Sequence, residues 1–432
     1  MLLKDYFPNL QKKYHKLSFR GIAFNSNEVK KGYIFFAFKG SNTDGNLFIK
    51  DAIQNGSKII ISDKVKTIGS ENNILFLNDK NPRKLLSQFS SKIFNKKPNN
   101  LIAVTGTNGK SSIANFYFQI LNLNKIKVAS IGTLGVDGIN IKNKFLNTTF
   151  DTIQLNKILQ KLKEKKIENV ILEASSHGLN QNRLDGLKFD IGIFTNLSRD
   201  HLDYHKSYKN YLNSKLILFK KLLKKKSYAI FDEGLKISPK LSRITKLNKI
   251  EKFTIGNTKS SFEILDHQFL KNEQKILFRF NKKKYSFSTK LIGRVQIKNL
   301  LMAIMAAMKS KISLEKILKI TQKIEPVNGR LEKIGKLYNN GIVILDYAHT
   351  PDALKTCIKN VKEQFKLRKI NLVFGCGGER DRPKRKIMGK IANKYCDKIY
   401  LTDDNPRSED PNKIRRDIKS NISKNKILEI PS

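Results

Sequence analysis

Short apolar runs separated by polar turns fill the first part of the chain. The runs "GYIFFAF" (32–38), "KIIIS" (58–62) and "NILFL" (73–77) have the length and composition of strands, and "FIKDAIQNG" around residue 50 has a helical pattern. The polar, proline-containing segment "FNKKPNN" (94–100) follows them. The pattern predicts a small α/β unit that ends in a linker.

From "LIAV" at residue 101 onward, apolar strands alternate with helical patterns. The strands are "NVILEA" (169–174), "IGIFTN" (191–196) and "YAIFD" (228–232), and this alternation predicts a doubly wound, mostly parallel sheet. Residues 250–290 have the pattern of hairpins, and "NLLMAIMAAMKS" that of a buried helix.

The alternation restarts after residue 328, with "GIVILDYAH" (341–349), "KINLVFG" (369–375) and "KIYLTDD" (398–404). At about 150 residues per domain, the 432 residues suggest two to four domains. We therefore predict an α/β protein of three domains: 1–97, 98–328 with the parallel sheet, and 329–432 as a second open α/β sheet.

Composition narrows the class of protein. The 84 basic and 37 acidic residues give a formal charge of +47, which would attract polyanions. The lysine runs are scattered along the chain, however, and no known nucleic-acid motif accompanies them, so no specific nucleic-acid partner is expected. No run approaches the roughly 18 apolar residues of a membrane span, and the charged start does not resemble a secretory signal. We expect a cytoplasmic protein without membrane insertion.

The stretch "AVTGTNGKSS" (103–112) raises the first chemical question. A strand runs into Gly106, and apolar residues at helical spacing follow Ser112, so a glycine turn leads into a helix N-terminus. Backbone N–H groups there favour phosphate, Lys110 supplies a cation, and the Ser111 hydroxyl can ligate Mg²⁺. An ordinary glycine turn with a serine cap fits this stretch equally well when it is considered alone.

Two further polar groups follow neighbouring strands. Glu173 stands at the end of one strand, and His201 lies in a polar loop just after the next. Because the carboxyl ends of parallel strands meet at one edge of a sheet, these groups and the glycine turn are expected to converge. Such a grouping favours a Mg²⁺-nucleotide site over a capped turn.

Motifs along nearly the whole chain resemble the Mur ligases in order and spacing. They are "TGTNGKSS", "NTT" (147–149), "EASSHGLNQNR", "TNLSRDHLDYH", "GRLE" (329–332), "DYAHTPDAL", "GCGGERD" and "DDNPRSEDP". The last two, with "GSNTDGNLFIKDAIQNG", look like the branch that adds the third residue of the peptidoglycan stem peptide. The resemblance implies a cytoplasmic, monomeric enzyme with a Rossmann-like third domain.

The reaction that this resemblance implies is ATP-dependent amide formation. ATP phosphorylates the carboxylate of UDP-N-acetylmuramoyl-L-alanyl-D-glutamate, and an amine of meso-diaminopimelate attacks the acyl phosphate. Lys110, Lys215, Glu173 and His201 would be catalytic. By its position in the family pattern, Lys215 would be carbamylated, and the Mg²⁺ ligands would be Ser111, Glu173, His201 and carbamylated Lys215.

The resemblance also implies three sets of binding residues. ATP would be bound by Gly106, Thr107, Asn108, Gly109, Lys110, Ser111, Ser112, Asn299, Arg330, Asp346 and His349. The UDP-linked substrate would be bound by Ser26, Ser41, Asn42, Asn147, Thr148, Thr149, Ser175, Gln181 and Arg183. The incoming amino acid would be bound by Arg380, Asp404, Asn405, Pro406 and Arg407, where arginine offers a bidentate clamp for a carboxylate.

The chain departs from the family pattern at two points. Gln296 replaces the first asparagine of a family element near the adenine, and the chain ends before a G-K-G-H-E segment, so we expect an incomplete third domain with an exposed sheet edge. The alternatives are a lysine-adding relative, another Mur or folylpolyglutamate ligase, a basic nucleic-acid-binding ATPase and a non-catalytic remnant.

Overall fold

The computed structural model describes residues 1–7, 10–40, 43–65, 69–71, 73–140, 147–270, 272–379 and 381–431. A five-stranded sheet in the order β1-β2-β3-β5-β4 occupies the first part of the chain, parallel except for the β4–β5 pair. Its strands are β1 (Gly21–Ala23), β2 (Tyr33–Ala37), β3 (Ile59–Ser62), β4 (Gly69–Glu71) and β5 (Ile74–Asn78), and its helices are α1 (Ile49–Gln54) and α2 (Pro82–Ile93). The predicted runs at 32–38, 58–62 and 73–77 all contain strands of this sheet.

A ten-stranded sheet follows, in the order β15-β14-β13-β12-β11-β10-β6-β9-β7-β8. Its strands are β6 (Asn100–Thr105), β7 (Val128–Gly132), β8 (Gly135–Asp137), β9 (Asn169–Glu173), β10 (Phe189–Phe194), β11 (Leu223–Asp232), β12 (Glu251–Gly256), β13 (Phe262–Phe269), β14 (Gln274–Phe280) and β15 (Lys283–Thr289). The strands from β7 to β13 pair in parallel, and β13 to β15 form the antiparallel hairpins expected at 250–290.

Helices cover both faces of this sheet, as a doubly wound sheet requires. They are α3 (Lys110–Leu123), α4 (Thr152–Glu164), α5 (Ser176–Asn180), α6 (Leu202–His205), α7 (Tyr208–Ile217), α8 (Ser238–Leu247), α9 (Arg294–Lys309) and α10 (Leu314–Leu318). One apolar cluster joins α3 and α9 to the sheet, and a second joins α4 and α8 to it. Helix α9 contains the buried run "NLLMAIMAA", which no solvent-facing stripe interrupts.

The last part of the chain holds two small sheets among its described residues instead of the one continuous sheet that the alternation predicted. An antiparallel hairpin is closed by a short turn at 337–341, and a separate three-stranded parallel sheet has the order β18-β19-β20. The elements are β16 (Glu332–Lys336), β17 (Ile342–Leu345), α11 (Pro351–Gln364), β18 (Asn371–Phe374), α12 (Pro383–Tyr395), β19 (Lys398–Leu401), α13 (Pro411–Lys419) and β20 (Ile427–Glu429). The domain boundaries stay a prediction.

Candidate functional site

The glycine turn connects the end of β6 to the start of α3. Gly106 and Gly109 have φ values of 149° and 86°, where residues with a side chain are rare. A Cβ on Gly106 would lie 1.9 Å from Thr195 Oγ1, so the turn is also packed too closely for a side chain. The loop thereby brings its backbone N–H groups to the N-terminus of α3, a geometry that suits a phosphate group.

Two lysines lie against this loop. Lys110 Nζ donates to the carbonyl oxygens of Gly106 (3.0 Å) and Thr107 (2.8 Å), and Lys215 Nζ donates to that of Gly106 at 2.8 Å. Burial lowers the pKa of Lys110, although nearby Glu173 and Asp200 act in the opposite direction. Burial and the charge of Lys110 hold the pKa of Lys215 well below its usual value. Lys215 therefore carries an amine that loses its proton readily.

Glu173 is buried at the end of β9. Its Oε1 accepts from the Thr133 backbone N–H at 3.0 Å, and its Oε2 accepts from the Thr133 hydroxyl at 3.2 Å. The Thr149 hydroxyl donates to the Glu173 carbonyl oxygen at 2.8 Å, and Thr148 Oγ1 lies 3.0 Å from Thr133 Oγ1. The predicted metal residue Glu173 is thus linked to the predicted substrate residues Thr148 and Thr149.

His201 is only partly covered and lies in the loop before α6 with a φ of 51°. Its Nε2 is 3.4 Å from Asp200 Oδ2, and its ring meets that of His177 edge-on at 4.8 Å. Burial lowers the pKa of His201 while Asp200 raises it, and burial lowers the pKa of His177 to about 4. The neutral imidazole that a metal ligand requires is therefore favoured at neutral pH.

Two of the four predicted Mg²⁺ ligands supply the oxygen donors that this ion prefers, whereas His201 supplies a nitrogen. Carboxylate and hydroxyl oxygens of Glu173 and Ser111 suit Mg²⁺, whereas Lys215 would supply an oxygen only as a carbamate. No group of three or more His, Cys, Asp or Glu side chains gathers as a metal-ligand set within the part of the chain that the structure describes. The four-residue Mg²⁺ set stays a prediction.

A cavity of about 590 Å³ lies beside the glycine turn, between the ten-stranded sheet and the last part of the chain. Six predicted ATP residues line it: Asn108, Gly109, Ser112, Asn299, Arg330 and Asp346. Lys110, Ser111 and His349 are not among the lining residues, and His349 is exposed. Asp346 accepts from the Leu331 backbone N–H at 2.8 Å, and burial raises its pKa.

Gln296, which replaces an asparagine of the family pattern, also lines this cavity. Its amide nitrogen donates to the Arg330 carbonyl oxygen at 2.9 Å, and its amide oxygen accepts from Asn299 at 3.0 Å. The longer amide therefore connects α9 to the segment before β16 and orients Asn299.

The same cavity contains groups that the sequence analysis missed. Asp232 at the end of β11 forms an ion pair with Lys298, and Thr195 and Asn196 at the end of β10 bond the glycine turn. All of them line the cavity. The signal was available, because "YAIFD" and "IGIFTN" end at the same sheet edge as the glycine turn.

A second cavity, of about 290 Å³, lies between the five-stranded and ten-stranded sheets. The predicted substrate residues Asn147, Gln181 and Arg183 line it, and Arg183 Nη1 donates to the Thr149 carbonyl oxygen at 2.6 Å. Ser175 caps α5 and bonds the Thr149 hydroxyl at 2.9 Å, while buried Ser26 is outside the lining. Ser41 and Asn42 lie outside the described residues.

This second cavity contains an arginine and two aromatic rings that sequence reasoning did not identify. The rings of Phe24 and Phe38 stack at 6.1 Å, and the Arg83 guanidinium lies 4.6 Å from the centre of the Phe38 ring. Arg83 Nη2 donates to the Lys39 carbonyl oxygen at 2.7 Å, and burial lowers its pKa. No motif surrounds Arg83, so only the fold could have indicated it.

The predicted amino-acid loop packs against the loop that follows β18. Arg407, at a φ of 53°, donates to the Gly378 carbonyl oxygen at 2.5 Å, and the Gly378 N–H donates to the Asn405 carbonyl oxygen at 3.0 Å. Asp404 caps the Asn405 N–H at 2.9 Å, and Pro406 leaves no room for a Cβ on Gly378. Arg380 is outside the described residues.

Ion pairs of two arginines hold this loop against its neighbours. Buried Arg385 pairs with Glu409 at 2.9 Å and with Asp417 at 3.1 Å, which anchors the loop to α12 and α13. Arg199 pairs with Asp381 at 3.5 Å, so the polar loop that contains His201 contacts the predicted amino-acid region. This ion pair joins the loop of His201 to the segment next to the predicted amino-acid residues.

Comparisons with known proteins show which family models the chain matches. The chain matches the family models "Mur ligase family, catalytic domain" over residues 18–94, "Mur ligase middle domain" over 104–307 and "Mur ligase, glutamate ligase domain" over 329–432. No helix among the described residues is long and apolar enough to cross a membrane.

Two curated relatives of this chain have the same name. The UDP-N-acetylmuramoyl-L-alanyl-D-glutamate–2,6-diaminopimelate ligase of Rickettsia conorii is 41% identical over 428 residues, covering 98% of this chain and 88% of that protein. The protein of the same name from Rhizobium meliloti is 34% identical and covers 92% of this chain and 81% of its own length.

Two solved structures are similar to this chain in fold. A structure of a ligase with that name has a TM-score of 0.74 at 28% identity, covering 100% of this chain and 88% of the other. The MurF ligase of Thermotoga maritima in complex with ADP has a TM-score of 0.60 at 18% identity, with 96% and 88% covered, and supports the fold alone.

Proposed function

Since this chain belongs to the Mur ligase family, we propose that it is the ATP-dependent ligase that joins meso-diaminopimelate to UDP-N-acetylmuramoyl-L-alanyl-D-glutamate. The observation that supports this most strongly is the phosphate loop with Lys110 beside the 590 Å³ cavity, connected through Glu173 and Thr149 to the second cavity. A peptidoglycan precursor enzyme of this kind is proposed to work in the cytoplasm as a monomer.

In the proposed reaction, the phosphate loop and Lys110 bind the phosphates of ATP, while Asn299, Arg330 and Asp346 contact the nucleoside across the cavity. A carboxylate oxygen of the UDP-linked substrate attacks the γ-phosphorus, and ADP leaves with the electrons of the broken P–O bond. Positive charge from Lys110 opposes the negative charge that develops on the transferred group. Mg²⁺, when bound by Ser111, Glu173, His201 and carbamylated Lys215, would supply further neutralisation.

The second half of the reaction forms the amide. The neutral amine of diaminopimelate attacks the acyl carbon, the tetrahedral intermediate collapses, and phosphate leaves with the former carboxylate oxygen. Arg407, Asp404 and Asn405, with Arg380, are proposed to hold the distal amino-acid end, and Arg183, Gln181 and Asn147 the UDP-linked substrate. Closure of the last domain over the cavity would exclude water from the acyl phosphate.

The test is phosphate release from ATP in the presence of the UDP-linked dipeptide, with meso-diaminopimelate or L-lysine added in parallel. The proposal predicts release only when diaminopimelate is present. Release with lysine alone would assign the chain to a lysine-adding enzyme. Release that requires nucleic acid and neither amine would contradict the proposal and favour a nucleic-acid-stimulated ATPase.

A further inference from the structure

A third cavity, of about 310 Å³, lies at the sheet edge opposite the phosphate loop. It is formed where β6, β10 and β11 begin, whereas the phosphate loop lies where β6 ends. The six residues of β6 separate the two edges by roughly 20 Å at about 3.3 Å per residue. This cavity is therefore separate from the catalytic region.

Positive charge dominates the lining of this cavity. Its lysines are Lys224, Lys225, Lys226, Lys309 and Lys311. Asp190 is the one acidic residue in the lining, and it already pairs with Lys224 at 2.7 Å and accepts from the Leu101 N–H at 3.0 Å. The other four lysines have no acidic partner within 4 Å in the described part of the chain, so the cavity attracts anions.

A buried hydroxyl in the same lining is left without a partner. Ser227 is only 4% exposed, and its Oγ forms no hydrogen bond with any residue that the structure describes. Buried hydroxyls in folded proteins are nearly always paired. This Oγ is enclosed, however, and strand alternation places it with Ala229 on the face of the sheet opposite Tyr228 and Lys309, so a ligand in the cavity would not contact it.

An aromatic cavity of about 370 Å³ adjoins this basic one. Lys309 lines both, and Phe253, Phe280 and Met308 line the aromatic one. The Lys309 ammonium lies 3.8 Å from the centre of the Tyr228 ring and 5.1 Å from that of Phe253. A phosphate in the basic cavity could therefore be joined to a flat ring in the aromatic one.

We propose that these two cavities together bind a phosphorylated small molecule of the nucleotide class. The lysines hold its phosphates, and Phe253 and Phe280 contact its ring. A bounded pocket of this size fits a small molecule better than a nucleic-acid strand, which would need a continuous basic surface. The site is independent of the proposed ligase reaction.

The test measures how fast each lysine of the full chain is acetylated, with mass spectrometry resolving the sites and ADP or pyrophosphate added at physiological salt. The proposal predicts that ADP slows acetylation of Lys225, Lys226 and Lys309 at least fivefold. The exposed pair Lys12 and Lys13, which lies outside both cavities, is the matched control and is expected to react unchanged. Site-by-site readout separates this binding from binding at the phosphate loop.

Three results would overturn the proposal. Equal protection of Lys12 and Lys13 would indicate adventitious counterion binding, and stronger protection of the cavity lysines and of this pair by an oligonucleotide would indicate a general nucleic-acid surface. Protection by pyrophosphate as strong as that by ADP would contradict the ring contact.

Variants provide a second readout. We expect the pair Lys225→Ala with Lys226→Ala to abolish protection of Lys309. The pair Lys12→Ala with Lys13→Ala removes the same charge outside both cavities and should leave this protection intact. None of these variants should change ligase activity, so a failed ligase assay would not affect this result.

Discussion

The environment of Lys215 could not be read from the sequence and is seen only in the folded structure. Composition made it one more lysine among many, and the resemblance alone suggested a special role. In the structure it is 1% exposed, and its ammonium lies 4.3 Å from the Tyr211 ring centre and bonds only the Gly106 carbonyl oxygen among the hydrogen bonds described. Burial without an acidic partner favours the neutral amine, which is the form that reacts with CO₂.

We therefore predict one carbamate per chain at Lys215. Protein equilibrated with ¹³C-bicarbonate should show a carbamate carbon signal by NMR, because burial and the charge of Lys110 lower the pKa of Lys215 and so favour the unprotonated amine. Lys215→Met should remove the signal, while exposed Lys240→Met serves as the control and should retain it. A signal that persists in Lys215→Met would contradict the assignment.

Arg83 differs from Lys215, because neither a sequence pattern nor the family resemblance suggested a role for it. A half-buried guanidinium at a cavity next to Arg183 suits the diphosphate of the proposed UDP-linked substrate. Loss of a charged hydrogen bond corresponds to about 1.5–3 kcal/mol, so Arg83→Ala should raise KM for that substrate roughly 10- to 100-fold. Steady-state kinetics with Lys84→Ala as the control checks this, and an unchanged KM would exclude Arg83 from the site.

At the scale of elements, the sequence predicted strands and helices better than their assembly. Apolar runs and glycine turns predicted the parallel sheet and the phosphate loop because both depend on neighbouring residues. The splitting of the last part of the chain into a hairpin and a separate sheet depends on which strands pair over long distances. The cavities depend on contacts between elements, which periodicity does not encode.

The phosphate loop gives an element-scale prediction. Gly106→Ala would place a methyl group at 1.9 Å from Thr195 Oγ1, at a φ of 149°, so the loop must shift. A displacement of about 1 Å at a reacting group can lower the rate about 10²-fold. We expect such a fall in ATP turnover, measured by phosphate release.

The control for this change is Gly335→Ala in β16, where no atom lies within 4 Å of the added Cβ. It should leave turnover unchanged. Equal activity of the two variants would show that the loop does not position phosphate.

At the scale of the whole molecule, the 590 Å³ cavity is lined both by α9 and by the last part of the chain, so its shape depends on how this part docks on α9. Asn360 Oδ1 accepts from the Val295 N–H at 3.1 Å and is largely buried, whereas the Arg294–Glu363 pair at 3.1 Å is exposed. A buried N–H left without its acceptor is worth about 1–3 kcal/mol, and an exposed ion pair about 0–1 kcal/mol.

We therefore predict that Asn360→Ala raises KM for ATP roughly 5- to 100-fold, while Glu363→Ala changes it less than about fivefold. ATP titrations of both variants provide the measurement. A larger effect of Glu363→Ala would mean that surface charge, not the buried contact, controls docking.

The most direct test of the proposed acyl phosphate follows an oxygen atom from the substrate carboxylate to the released phosphate. If the terminal carboxylate of the UDP-linked dipeptide is phosphorylated before the amide forms, labelling that carboxylate with ¹⁸O must transfer one ¹⁸O to the released phosphate. Mass spectrometry of the phosphate after turnover with ATP and diaminopimelate should find the label in step with the tripeptide product. Tripeptide formed together with unlabelled phosphate would contradict the proposed acyl phosphate, and with it the central account of this site.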